Sequence, residues 1–260
     1  MQKLCGIRVD IDCVGDIDAL PAALDLLDDC GVKASFFVTM GPDRTGKRLF
    51  SYLKRPWDLG KAKPTRFGLW NLMRGIVSPA RMEDCRDALR DIERRGHEVG
   101  LHGYDHYQWM MTCGEGAGPL IEEGYALFED VFGNAPKSFA SPGFTVNREI
   151  LRKIDELGFD YSSDFMGKGP FYPTLKGEKF NTLQIPVNVR SIGEFDAQGL
   201  EDREIFQNFE RGLDAEGSFT FYFHPSYEAK YRAGLLSEII HFAHKNAEIL
   251  TLAEIAGRWK

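Results

Sequence analysis

At 260 residues, with 43% hydrophobic and 27% charged side chains, the chain has the size and balance of one large α/β domain. It contains no low-complexity tract, internal repeat or Ser/Pro-rich linker, and nothing approaching the roughly eighteen consecutive apolar residues of a transmembrane helix. The net charge of −7 argues against a nucleic-acid partner.

The opening Met1-Gln2-Lys3-Leu4-Cys5 runs directly into the first expected strand, which leaves no room for a signal peptide. In that strand, Gly6 to Asp12, the apolar Ile7, Val9 and Ile11 alternate with Arg8, Asp10 and Asp12. A helix is expected from Asp16 to Gly31, with Leu20, Ala23, Leu24 and Leu27 at helical spacing, and a buried strand from Lys33 to Met40. Ser78-Pro79 reads as the start of a helix that runs through Leu89 and Ile92 to Gly96. A third strand follows over His97 to His102, and a helix over Leu120 to Phe132 closed by Gly133. Lys137 to Ala140 makes a short strand into a Ser141-Pro142-Gly143 turn; Asn147 caps a helix that Gly158 ends after Leu157. Phe159 to Ser163, Leu183 to Val189, Ser218 to Phe223 and Ile249-Leu250 read as strands, with helices over Asp202 to Leu213, Gly234 to His244 and the C-terminus. Strand and helix alternate seven or eight times, which points to a parallel sheet closed into a distorted or incomplete (β/α) barrel.

The residues with chemical potential fall at the C-terminal ends of these strands, the face on which a β/α barrel carries its active site. Asp10 and Asp12 share one face of the first strand, because residues two apart on a strand point the same way. Taken alone, an Asp-x-Asp is a polar strand end that caps the next turn. His102 and His106, at the end of the third strand, change that reading: two imidazoles and one carboxylate make an open three-ligand site, with the second carboxylate left as a base. Such a donor set suits Zn, with Mn, Fe, Co or Ni as alternatives. His224 ends the apolar strand Phe219 to Phe223, where a core histidine held by one backbone bond is the plain alternative. His97 begins a strand, at the opposite end of the barrel, and His241 and His244 lie on a helix away from the strand ends. The cysteines (Cys5, Cys13, Cys30, Cys85, Cys113) are odd in number, scattered and without a C-x-x-C pair, as expected of reduced thiols in the cytosol.

Together Arg-Val-Asp-Ile-Asp at 8–12, His102-x-x-x-His106, Ser141-Pro142-Gly143, Tyr161-Ser162-Ser163-Asp164 and Phe223-His224-Pro225 resemble, in order, the motifs of the polysaccharide deacetylase or NodB-homology family, carbohydrate esterase family 4. Within it the chain looks most like the deformylase branch, which acts on an undecaprenyl-phosphate-linked formamido sugar in lipid A aminoarabinose modification. The resemblance implies a NodB-like barrel over residues 1–260 with a basic aromatic insertion at about 43–78. It implies Asp10 as general base, Asp12, His102 and His106 as ligands of one divalent metal, His224 as general acid, and Asp164, or Asp160 on the same face, as the carboxylate that tunes His224. The implied reaction is hydrolysis of an N-formyl or N-acetyl amide on a sugar. The alternatives are deacetylation of a small or oligomeric N-acetyl sugar, hydrolysis of a cyclic ureide or imide, and an inactive sugar- or lipid-binding homologue. One departure bears on this: most family members carry an arginine, the partner of the base, where this chain has Ala140.

From Arg44 to Ser78 nine basic residues stand against one acid, Asp58, and they are interleaved with Phe50, Tyr52, Trp57, Phe67 and Trp70. A solvated insertion is the plain reading; cations mixed with aromatic rings are also what contact with an anionic membrane surface needs. The expected location is therefore cytoplasmic, with peripheral contact to the inner face of the membrane.

Overall fold

The computed structural model describes residues 3–44, 81–112, 114–214 and 218–259. Strand β1 (Leu4–Ile11) is followed by two short helices, α1 (Val14–Asp18) and α2 (Leu20–Asp29). The single helix expected over Asp16 to Gly31 breaks at Ala19, because Pro21 has no N–H to donate and sits instead in the first turn of α2. Strand β2 spans Ser35–Val38. Ser78 and Pro79 lie outside the described residues; the rest of that expected helix is a tight turn at Met82–Cys85 leading into α3 (Arg86–Arg94). Then come β3 (Glu98–Leu101), α4 (His106–Thr112), α5 (Ala117–Phe132), β4 (Ser138–Phe139), α6 (Arg148–Leu157) and β5 (Tyr161–Ser162). A small antiparallel hairpin, β6 (Thr174–Leu175) and β7 (Glu178–Lys179), precedes β8 (Leu183–Gln184). The chain closes with α7 (Ile192–Gln198), α8 (Asp202–Asp214), β9 (Phe219–Phe223), α9 (Ala233–Asn246), β10 (Glu248–Leu250) and α10 (Leu252–Trp259).

All strands except the hairpin pair in parallel, in the order β9-β1-β2-β3-β4-β5-β8, with β10 also against β1. β1 shares one edge between two partners: Leu4 to Gly6 pair with β10, and Arg8 to Ile11 with β2. Pro186 interrupts the strand expected over Leu183 to Val189, so β8 is short. Its continuation still reaches β9 through a parallel bridge between Val189 and Phe221. Asn188 N–H donates to the Thr220 carbonyl (2.7 Å), and Thr220 N–H donates to Asn188 Oδ1 (2.6 Å). The sheet thus curls into a distorted (β/α) barrel drawn together by a few bonds at this seam.

The alternation read in β1 sorts its side chains between two layers. Ile7, Val9 and Ile11 join the large core between strands and helices, whereas Arg8, Asp10 and Asp12 point into the barrel. A second apolar cluster, including Phe37, Tyr161, Leu183, Leu252 and Ile255, fills the lower interior. Its plug is α10, which comes so close to β1 that a Cβ on Gly6 would stand 2.4 Å from Leu252 Cδ2. Above it, Glu98 accepts hydrogen bonds from Ser35, Ser138 and Tyr161 hydroxyls and from Ala253 N–H. With the bottom plugged, only the upper end of the barrel is left for a cleft.

Candidate active site

A cleft of about 350 Å³ opens at the C-terminal ends of the strands. Asp10 is the last residue but one of strand β1, and Asp12 lies just beyond its end. His102 follows β3, His106 begins α4, and His224 follows β9. The structure brings all five to this cleft. His102 Nε2 lies 3.3 Å from Asp12 Oδ1, His106 Nε2 3.4 Å from Asp12 Oδ2, and His224 Nε2 3.6 Å from Asp12 Oδ2. One donor atom from each of Asp12, His102 and His106 falls within 4.8 Å of the others, and the same holds for Asp10, Asp12 and His224.

The first of these triplets suits a metal ion on chemical grounds. His102 Nδ1–H donates to the Ala140 carbonyl (2.7 Å), since a carbonyl oxygen can only accept. In the neutral ring this leaves the Nε2 lone pair facing a carboxylate oxygen, and Nε2 is buried without a hydrogen bond among the described residues. Two acceptors turned toward each other in a buried site repel unless a cation or a proton lies between them. A chelating pair of imidazoles with one carboxylate provides such a place.

Asp10 is held differently. Arg8, two residues earlier on the same face of β1, grips it with both prongs of its guanidinium: Nε to Oδ1 at 2.6 Å and Nη2 to Oδ2 at 2.8 Å. Arg8 is fully buried, donates through Nη1 to the Ser163 carbonyl, and stacks under the Phe144 ring at 4.7 Å. Phe144 reaches this position from a backbone with φ 54, following Gly143 at φ 59. Gly143 takes a left-handed φ that favours glycine, and a Cβ there would also push aside the tip of the Met110 side chain. Burial pushes the Asp10 carboxyl up, but the charge and hydrogen bonds of Arg8, with His102 and His224 nearby, outweigh it and hold the group below its usual range.

His224 has a carboxylate behind it that the sequence reading missed. Pro225–Ala229 forms a wide helical turn, and this returns Glu228 to His224. Glu228 Oε2 accepts the His224 backbone N–H at 2.8 Å and lies 3.8 Å from Nδ1; Oε1 accepts Gly193 N–H at 2.8 Å. Burial raises the Glu228 carboxyl, yet the His224 contacts and the two backbone N–H groups carry it below its ordinary value. The signal was the i to i+4 spacing after a proline, which can start a helical turn.

The carboxylates expected to tune His224 make other bonds. Asp164 accepts Ser141 N–H and Oγ–H, both at 2.7 Å, and Gln184 Nε2–H at 3.0 Å, so it fastens the Ser141-Pro142-Gly143 turn to β8. Asp160 is exposed before β5, its N–H donating to the Lys137 carbonyl at the lower end of β4. His97 is at the bottom of the barrel, where Nδ1 accepts Ala34 N–H at 3.1 Å, and His241 is on α9, bonded to the Ser237 carbonyl at 2.7 Å. The segment 45–78 lies outside the described residues; Arg44, at its threshold, pairs with Asp105 in the loop between His102 and His106.

The polysaccharide deacetylase family model matches residues 12–162, more than half the chain. The chain belongs to the polysaccharide deacetylase family. The match takes in Asp12, His102 and His106, while Asp10 and His224 lie outside its span. The chain is 28% identical to a Shewanella sediminis protein named as a probable 4-deoxy-4-formamido-L-arabinose-phosphoundecaprenol deformylase, over 96% of this chain and 85% of that one. A Wigglesworthia glossinidia brevipalpis protein of the same name is 28% identical over 67% of this chain and 64% of its own length. The fold matches a Mycobacterium smegmatis protein named a putative polysaccharide deacetylase, with a TM-score of 0.68 at 18% identity, over 99% of this chain and 90% of that one. Membership makes the chain one of a group of metal-dependent amidohydrolases, and its Asp/His cluster has the donors that such an ion requires.

Proposed function

We propose that this protein hydrolyses the formamide of a lipid-linked amino sugar, with Zn held by Asp12, His102 and His106. The carrying observation is the pairing of two independently supported proton carriers with one ligand cluster in a single cleft: Asp10 gripped by Arg8, and His224 backed by Glu228. The Shewanella and Wigglesworthia relatives bear names for deformylation of a phosphoundecaprenol-linked formamido-arabinose, which supports the choice of acyl group and carrier.

A zinc ion bound there supplies Lewis acidity to the amide carbonyl and to water. Asp10, kept ionised by Arg8, accepts the proton of the attacking water. His224 Nε2 gives a proton to the sugar nitrogen as its bond to the formyl carbon breaks, and Glu228 stabilises the imidazolium charge from the other side of the ring. The products are formate and the free amino sugar. Ala140, which removed the family arginine and gave an inactive homologue its support, is answered by Arg8 on β1.

The test is a screen of formamido- and acetamido-sugars, free and polyprenyl-phosphate-linked, against the metal-loaded protein, with formate or acetate release as the readout. Turnover of acetamido-sugars alone would discard the deformylase reading. Residues 1–260 are read as one catalytic domain with an insertion at about 43–78 that touches an anionic membrane surface through its cations and aromatic rings. Among the described residues no helix is long and apolar enough to cross a membrane. Failure of the protein to sediment with acidic vesicles at low salt would remove the membrane contact.

A further inference from the structure

A second depression of about 390 Å³ adjoins the catalytic cleft, and Met166 and Arg190 form walls of both. Their chemistry differs. The cleft is acidic on its floor and rim, with Asp10, Asp12 and Glu194, whereas the groove beside it is lined by Lys168, Arg190 and Arg211 and by the amides of Asn188 and Asn208, without an acid among its lining residues. In a chain of net charge −7 that segregation is not what an even surface would show. Arg190 shares one bond with Glu194 (2.9 Å). Arg211 Nη2 donates to Asn208 Oδ1 (3.1 Å) and its Nε to the Gln207 carbonyl (3.2 Å); among the described residues neither Arg211 nor Lys168 has an acidic partner within ion-pair distance.

The groove is also built into the fold. Its apolar lining is Val189, at the bridge to β9, and Phe195 of α7. Helix α8 can press onto that bridge because residue 212 is glycine: a Cβ there would stand 2.5 Å from both Val189 Cγ2 and Phe219 Cε2. The close approach brings Arg211 and Asn208, on the last turns of α8, into the lining of the same groove as Lys168.

We propose that this groove is the subsite for a phosphate ester carried by the same sugar whose amide enters the catalytic cleft. The proposal rests on the formamido-sugar reading above and adds to it the group that selects the substrate. Cations and amide donors are the partners that phosphate oxygens require. Their placement beside Arg190, the wall common to both depressions, puts the anion next to the reacting end of the sugar.

The experiment measures binding without turnover. Calorimetry in the presence of EDTA compares L-arabinose 1-phosphate, L-arabinose and inorganic phosphate on the wild-type protein and on the double variant Lys168→Gln, Arg211→Gln; both side chains are exposed, so the fold is expected to stand. The sugar phosphate should bind the wild type more tightly than either single component. The double variant should lose roughly tenfold, about the loss of one charge-assisted hydrogen bond. In a parallel arm, the kcat/KM ratio for a formamido-sugar phosphate over its neutral methyl glycoside should fall in the double variant and hold in Lys245→Gln, a cation on α9. For a polyprenyl phosphodiester the ratio should fall likewise, because the groove reads phosphate and not the tail. Equal binding of sugar phosphate by wild type and double variant overturns the subsite, and inorganic phosphate binding as tightly as the sugar phosphate overturns its role in substrate selection. Absence of turnover of any formamido-sugar, neutral glycoside included, would instead overturn the reaction and leave the binding result to stand by itself.

Discussion

Arg8 and Asp10, two residues apart on one face of β1, form a buried two-pronged ion pair at the floor of the cleft. Its geometry answers the loss of the family arginine at Ala140. The cation that meets the base comes from the base's own strand, while position 140 offers His102 its backbone carbonyl and no charge. A guanidinium fork fits a carboxylate in a way that an ammonium does not.

Arg8→Lys should therefore fold, because the charge remains, but lose about 10² in kcat or more as the fork is replaced by a single mobile contact. Arg8→Met should in addition cost about 3–5 kcal/mol of stability, the usual penalty for leaving one member of a buried pair uncompensated. Denaturant unfolding and steady-state kinetics on the two variants separate the effects. Wild-type kcat in Arg8→Lys would mean that Arg8 supports the fold alone.

His102→Ala should strip metal, since Asp12 and His106 would be left as a two-ligand site. Elemental analysis of the dialysed protein reads this directly. Asp10→Asn should retain the ion and lose turnover by about 10² to 10⁴, the span of proton-transfer contributions. Full metal occupancy in His102→Ala would refute the ligand assignment.

Glu228→Gln tests the support behind His224. Glutamine keeps one acceptor oxygen, enough for the His224 or the Gly193 N–H but not for both, and removes the negative charge beside the imidazole. Turnover should fall about 10- to 100-fold with metal content unchanged, as for other buried partners of catalytic or ligating histidines. The alkaline limb of the rate profile should move to lower pH, because the imidazolium loses its stabilising charge. Asp164→Asn provides the comparison: its bonds run to Ser141 and Gln184, so the main effect there should be on the Ser141-Pro142-Gly143 turn and on stability. An unshifted limb in Glu228→Gln would remove Glu228 from the proton path.

His97 should make the protein sensitive to mild acid. Burial, and next the charge of Lys33, lower its pKa to about 4 from the ordinary 6.5, and Nδ1 is already occupied as the acceptor of Ala34 N–H. The unfolded chain takes up a proton near pH 6.5 that the folded chain refuses until about pH 4. This contribution to stability is thus complete above the unfolded value and is lost as the pH falls toward the folded one. His97→Asn, whose Oδ1 can accept the same N–H, should flatten the decline between pH 7 and 5 in urea unfolding. An identical decline in the variant would assign the acid sensitivity to other groups.

Much of this molecule was legible in the order of its residues. The period-two pattern of β1 placed Asp10 and Asp12 on one face, and the structure turns that face into the barrel. Asn147 was readable as a cap, and its Oδ1 accepts Ile150 N–H at 3.0 Å; Gly133 and Gly158 were readable as helix stops, and both take the left-handed conformation. The spacing of His102 and His106 and their position after a strand pointed to the upper face. These features are local, set by backbone periodicity, capping and turn chemistry, so a linear reading can reach them. Only the tertiary structure decided which charges meet. Arg8 could have faced Asp10 or Asp12 until Ser163 and Phe144 closed around it, and Glu228 became the partner of His224 only because Pro225 opens a wide turn onto Gly193. A buried charge takes the nearest group that repays its desolvation. The nearest group in a barrel is set by the curl of the sheet, which here closes at Val189 and Phe221, residues that nothing in their local sequence pairs together.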